Sequence, residues 1–289
     1  MRGPLRREGV RSSDHEISHL EWRCSMSIAF RFLTIAELSQ PKLWAAFLDK
    51  AHGAKTYFHP KFPHEVKTEL IRNNTIDHII PTSHGDVSLV EATLNLLSAA
   101  FHDDARHEHF ILLSDTTIPI APFKQVSEEL SLCQNRSVMD FSVGAPGSEH
   151  FNRQQFLPPS CVFTPFFSHS QWITLTRRHV ERLLTKPGLE CFKQFPFADE
   201  HYFLNVLIHA CGVDLDEVIN ARKTFVNWRD REVRETFESG RLVSRTIHPK
   251  TYSSLPTLDV TVAIKNGCWF FRKVSHDCDT AHLVDSIAS

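Results

Sequence analysis

Phe110-Ile111-Leu112-Leu113-Ser114-Asp115-Thr116-Thr117-Ile118-Pro119-Ile120 is a continuous apolar run that breaks into small polar residues. Four consecutive large apolar side chains leave no solvated face, which suits a central parallel strand covered on both sides. The elements before it alternate. Residues 28–33 read as a strand, and a helix follows with Ser39 near its cap, Pro41 in its first turn, Leu43, Trp44, Phe47 and Leu48 inward, and Gly53 past its end. Residues 55–58 form a second strand running into His59-Pro60, and residues 76–80 a third. Ser88-Leu89-Val90-Glu91 is a capping box that opens a helix through Phe101. This β-α alternation predicts an α/β fold with a doubly wound sheet flanked by helices. Ligands of such sheets bind beyond the carboxyl ends of the strands, where Ser114-Asp115-Thr116-Thr117 falls. An ordinary turn before a helix would leave the same residues.

The 289-residue chain has 32 basic and 34 acidic side chains, so no global charge draws it to nucleic acid. Any phosphate must be met by local groups. The 22 Phe imply a large packed interior. Seven Cys are scattered without C-x-x-C spacing, which argues against a zinc ribbon, and an odd number leaves at least one free thiol. No stretch has the ~20 apolar residues of a membrane span, and the first 25 lack the apolar core of a signal peptide. The expected organisation is a polar leader over residues 1–25, one domain over 26–275, and a tail over 276–289. Residues 102–109, rich in His and Asp, sit at the entry end of the central strand and read as a solvated loop rather than a metal site.

Phe197-Ala198-Asp199-Glu200-His201-Tyr202-Phe203 sets two carboxylates and an imidazole at the start of an apolar helical pattern that ends at Cys211-Gly212. Asp199 is the expected N-cap and Glu200 lies in the first turn, where the helix dipole and the flanking aromatics act on its charge in opposite directions. A plain helix start accounts for the same heptapeptide. Elsewhere in this half, residues 137–147 read as a strand and loop and 148–159 as a polar connection. Residues 161–168 read as a strand, Thr176 as a helix cap, 223–228 as a strand, 229–250 as a charged loop, and 268–274 as a late aromatic strand carrying Arg272-Lys273.

Six of these stretches, in order over most of residues 28–275, resemble the core-2/I-branching β-1,6-N-acetylglucosaminyltransferase family, especially its plant and microbial members. His84-Gly85-Asp86-Val87-Ser88 is similar to a Trp-Gly segment before the capped helix, with His84 in place of Trp. Phe110 to Ile120 resembles the strand and turn "FxLLSesxiPl", and Ser170-Gln171-Trp172 opens a stretch like "SQWxxLxR". Asp199 to Phe203 is similar to "DEHYF", Thr224-Phe225-Val226-Asn227-Trp228 to "TyvdW", and Phe270-Phe271-Arg272-Lys273-Val274 to "FaRKF".

The resemblance implies a GT-A-type fold and inverting transfer of a sugar from a UDP donor to a glycan or glycoprotein hydroxyl. GlcNAc is the first expectation, with xylose and glucuronic acid sharing the same UDP end. It implies Glu200 as the base and Lys273, with Arg272, as diphosphate ligands. Arg245 and Lys250 are the candidates for a further cation. His59 and Asp115 fall near the expected nucleotide pocket, and Trp228 and Trp172 are the acceptor-side aromatics, although a buried Trp228 would leave the same signal. The family works without a metal cofactor, and Asp115 has no second carboxylate two residues on with which to hold one. The implied setting is the Golgi or secretory membrane, although no anchor or signal is visible in this chain. The alternative is a GT-A-like nucleotide-sugar or glycan-binding protein without turnover. A hydrolase is disfavoured, since no nucleophile elbow or second catalytic carboxylate stands at a matched motif.

Overall fold

The computed structural model describes residues 27–186, 188–238 and 241–288; the expected leader lies outside them. The chain opens with β1 (Ser27–Thr34), α1 (Pro41–Asp49), β2 (Lys55–Pro60), α2 (Glu69–Asn73), α3 (Ser88–Asp103), β3 (His107–Ser114), β4 (Ile118–Pro119) and α4 (Phe123–Leu132). It continues with β5 (Ser137–Met139), β6 (Phe141–Val143), α5 (Glu149–Asn152), β7 (Phe167–His169), β8 (Thr174–Thr176), α6 (Arg177–Thr185) and α7 (Tyr202–Asn205). The last elements are β9 (Val218–Asn220), β10 (Thr224–Val226), β11 (Glu232–Glu238), β12 (Arg241–His248), α8 (Thr257–Lys265), β13 (Phe270–Arg272) and α9 (Ala281–Ile287).

Six strands form the main sheet in the order β2-β1-β3-β8-β5-β9. β3 pairs in parallel with β1 and antiparallel with β8, so the sheet is mixed, and the apolar run of β3 is its buried middle. Successive side chains of a strand point to opposite faces. Accordingly Ala29, Phe110 and Leu112 pack on one side with α3, α6 and α7, while Ile28, Phe30, Phe32, Ile111 and Leu113 pack on the other with α1, α8 and β13. Residues expected as a tail form α9, whose Leu283 and Ile287 are buried in that second core.

A second, three-stranded sheet has the order β10-β13-β4. Because β4 follows directly from β3, this small sheet lays the late strand β13 against the carboxyl end of the main one. The loops there are stitched together: Ser39 donates its N–H to the Asp115 carbonyl at 2.9 Å, and the Trp44 indole donates to the Thr117 carbonyl at 2.8 Å.

Several local expectations are corrected. Residues 76–80 make no strand: the bridge to Phe58 is that of Thr75, just before them, and the Ile80 N–H donates to the His59 Nε2 (3.0 Å) instead of to a ladder. α3 starts at Ser88 itself, and Asp86, not Ser88, accepts the orphan N–H, that of Ser88, at 2.8 Å. Only the last part of 161–168 is strand. Pro165 lacks the N–H a ladder needs, and Cys161 is tied by a disulfide to Cys191. Residues 229–250 contain the antiparallel hairpin β11/β12. The 102–109 cluster is not simply solvated: His107, His109 and Asp104 are buried, and the Tyr57 hydroxyl bridges Asp103 and His107 at 2.7 Å each. The Thr176 cap holds, its hydroxyl accepting the His179 N–H.

Candidate active site

The candidate site is built around Phe197, whose backbone is left-handed (φ 55°, ψ 47°). A bulky residue there stores roughly 1–2 kcal/mol of strain and persists only where its surroundings fix it. Those surroundings are specific. The Phe197 N–H donates to the Gly85 carbonyl at 2.7 Å, and a Cβ on Gly85 would come within 3.1 Å of the Phe197 ring. On that ring lie the Arg153 guanidinium, 4.7 Å from the centroid, and the His84 imidazole, edge-on at 5.9 Å. The departure of His84 from the expected Trp thus leaves an aromatic contact in place.

The left-handed Phe197 launches a tight 3-10 turn, Ala198–Glu200, and the helix proper begins only at Tyr202. Asp199 is therefore not the helix N-cap. It is turned into the protein, its Oδ1 is buried without a hydrogen-bond partner, and burial, then the neighbouring Glu200, push its pKa up to about 7. Glu200 is half-buried at the rim. Burial raises its pKa, and Arg153, with Nη1 4.0 Å from Oε2, pulls the other way, as does Arg272 more weakly. A carboxylate in such opposed fields is a credible proton acceptor.

β13 delivers Arg272 to the same place. Its guanidinium stacks on Trp172 at 4.1 Å, its Nε is buried without a partner, and burial lowers its pKa to about 10, with Asp115 and Glu200 near enough to oppose that. The fold thus holds a partly desolvated cation within the field of two carboxylates, ready for a stronger anion. Lys273 is next; its charge, after burial, helps to hold the His84 pKa below the ordinary value. The Tyr252 N–H donates to the Lys273 carbonyl at 2.8 Å, aligning residues 250–252 with the end of β13.

The other predicted residues are spread more widely. Asp115 fixes the loop after β1, its Oδ2 accepting the Ile35 N–H at 3.0 Å. His59 is buried and holds the Ile80 backbone, which makes its Nε2 an acceptor. Trp172 lies beneath Arg272, on the side of the cation. Trp228 is 50% exposed, so burial does not explain it. Lys250 lies over the Tyr252 ring and 3.4 Å from Asp230. Arg245 sits on β12 with its side chain outside the described ones. Among the described residues no three His, Cys, Asp or Glu side chains gather as a metal site.

Arg153 was not singled out by the sequence, where it lies in a polar connection without periodicity. Beside it an open cleft of about 480 Å³ is lined by Gly147, Glu149, Arg153, Phe156 and Phe197, among others. With this geometry in place, comparison with known proteins shows that the family model described as Branch, Core-2/I-Branching enzyme, matches residues 28–262. No curated protein matches the chain.

Proposed function

The chain belongs to the Core-2/I-branching enzyme family, and on that premise we propose that it is an inverting, metal-independent transferase that moves a sugar from UDP to a glycan hydroxyl. Family membership implies a glycosyltransferase, with a nucleotide-sugar donor and a glycan acceptor. The observation that carries the finer reading is that Glu200 lies in the field of two cations of different standing: Arg153 at 4.0 Å and the half-buried, stacked Arg272.

In the proposed reaction an acceptor hydroxyl, entering from the cleft beside Arg153, gives its proton to Glu200 as its oxygen attacks the anomeric carbon. The bond to the diphosphate breaks, and the charge that grows on the leaving oxygen is met by Arg272 and Lys273. Fixed side-chain charge takes the part that a metal plays elsewhere. GlcNAc is the proposed donor sugar, with xylose and glucuronic acid as the competitors. Residues 26–275 are the proposed transferase domain, and exposed Trp228 is the proposed acceptor platform. A Golgi lumen is the proposed setting; the Cys161–Cys191 disulfide is at home in such an oxidising compartment. Among the described residues no helix is long and apolar enough to cross a membrane.

The test is a screen of UDP-sugars for UDP release with and without glycan acceptors, run beside Glu200→Gln. The wild type should release UDP from one donor, and the variant should lose roughly 10²–10⁴-fold in rate while binding UDP as before. A wild type that binds UDP-sugars but never turns them over would establish the binding-protein alternative. Full activity in the variant would remove Glu200 as the base.

A further inference from the structure

Arg153 lies between two carboxylates and treats them differently. Its Nη2 is 2.5 Å from Glu149 Oε1, a close ion pair across one turn beyond α5, whose Ser148 cap accepts the Phe151 N–H. Its Nη1 stands 4.0 Å from Glu200 Oε2, is buried, and has no hydrogen-bond partner. The Phe197 ring fixes the guanidinium plane, and only 13% of the side chain is exposed. At 4.0 Å the cation supplies field without occupying a carboxylate lone pair, since charge-assisted bonds form below about 3 Å.

Building on the reading of Glu200 as the base, we propose that Arg153 is a positioning residue that keeps Glu200 ionised by charge while leaving its oxygens open to the acceptor hydroxyl, with Glu149 holding the guanidinium once the proton arrives. Before transfer, Glu149, Glu200 and Arg153 sum to one negative charge. The O–H bond of the acceptor breaks, its proton goes to Glu200, and the cluster becomes neutral, an intact Arg153–Glu149 pair beside a carboxylic acid. A guanidinium bonded directly to Glu200 would resist that step.

The charged and titratable groups around the pair are few. Glu149 and Arg153 come from α5 and the turn after it, Asp199 from the turn of Glu200 itself, and Arg272 from β13. His150 and His201 also feel Arg153, and burial holds both imidazoles below their ordinary pKa, so neither adds charge near neutrality.

The test titrates the Glu side-chain carboxyl ¹³C resonances of the full chain, with Glu200→Gln for assignment, beside the pH profile of UDP release. Arg153→Met should move the Glu200 midpoint and the acidic limb of kcat/KM up by about one pH unit, so that activity below the limb falls about tenfold. UDP affinity should stay unchanged. Arg153→Lys should restore the limb, and Glu149→Gln should move it the opposite way, to lower pH. A rate loss equal at all pH values with an unmoved midpoint, or a limb that moves the same way in Arg153→Met and Glu149→Gln, would overturn the proposal. If the wild type proves inert, the transferase reading falls, whereas the carboxyl titration needs no turnover and still decides the role of Arg153.

Discussion

Replacing Arg272 with Met should separate ligand binding from stability. In the folded chain the guanidinium sits over Trp172 with its Nε buried and unpartnered, and burial lowers its pKa to about 10. Because the folded value lies below the unfolded one, the charged form is the one the fold disfavours. The penalty, about 3 kcal/mol by the tenfold rule, is complete at neutral pH and fades only above about pH 10. The stack on Trp172 returns roughly 1–2 kcal/mol. Met keeps an unbranched apolar stem and removes both terms, so the variant should be about 1–2 kcal/mol more stable. In a domain this size each kcal/mol moves Tm by about 2–4 °C, so Tm should rise by a few degrees. A charge-assisted bond to the diphosphate contributes roughly 1.5–3 kcal/mol, so the UDP Kd should rise about 10- to 150-fold. Calorimetric titration with UDP and a thermal melt of the same samples measure both. Unchanged UDP affinity together with a fallen Tm would mean that Arg272 is a structural cation and that the diphosphate binds elsewhere.

Lys273→Ala should weaken UDP binding by roughly 1.5–3 kcal/mol, and the His84 imidazole, relieved of a neighbouring charge, should titrate at higher pH by proton NMR; a fixed Kd would leave Lys273 outside the donor site. Asp199→Asn should raise Tm at pH 8 but not at pH 4. The folded pKa of about 7 lies above the unfolded value, so Asp199 costs stability progressively as pH rises from about 4 to 7, and equal Tm changes at both pH values would contradict this. Activity should survive excess EDTA and gain little from Mn²⁺; loss on chelation with recovery on Mn²⁺ would require a metal at Asp115.

What could be read from the residues was wherever one side chain's chemistry settles its local structure. Four large apolar residues at 110–113 admit no solvated strand, Thr176 can cap its own helix, and both hold in the fold. The failures come from tertiary partners. Asp199 lost the cap because Phe197, held by Gly85 and Arg153, adopts a left-handed turn that no propensity suggests. Residues 76–80 have strand composition, yet His59 takes the Ile80 N–H. The hairpin of β11 and β12 hid in a charged stretch, because Val233 and Phe237 are the large apolar residues of β11 and Glu235 between them breaks the period-two signal of a strand. In the site, Glu200 and Arg272 were visible through motif resemblance. Arg153 was not, since its role depends on where Phe197 and Glu200 arrive from 44 and 47 residues downstream.

The middle strand of the small sheet begins at Phe270, whereas the family match ends at residue 262. Recombinant boundaries drawn from the match alone would therefore cut inside α8 (Thr257–Lys265) and discard Trp269, Phe270 and Phe271, all three wholly buried. Such a fragment would keep Glu200 but lose Arg272 and Lys273, and β4 and β10 would be left with no strand between them. The useful cloning limit is set by where the second core closes, at α9, and not by where recognisable sequence stops.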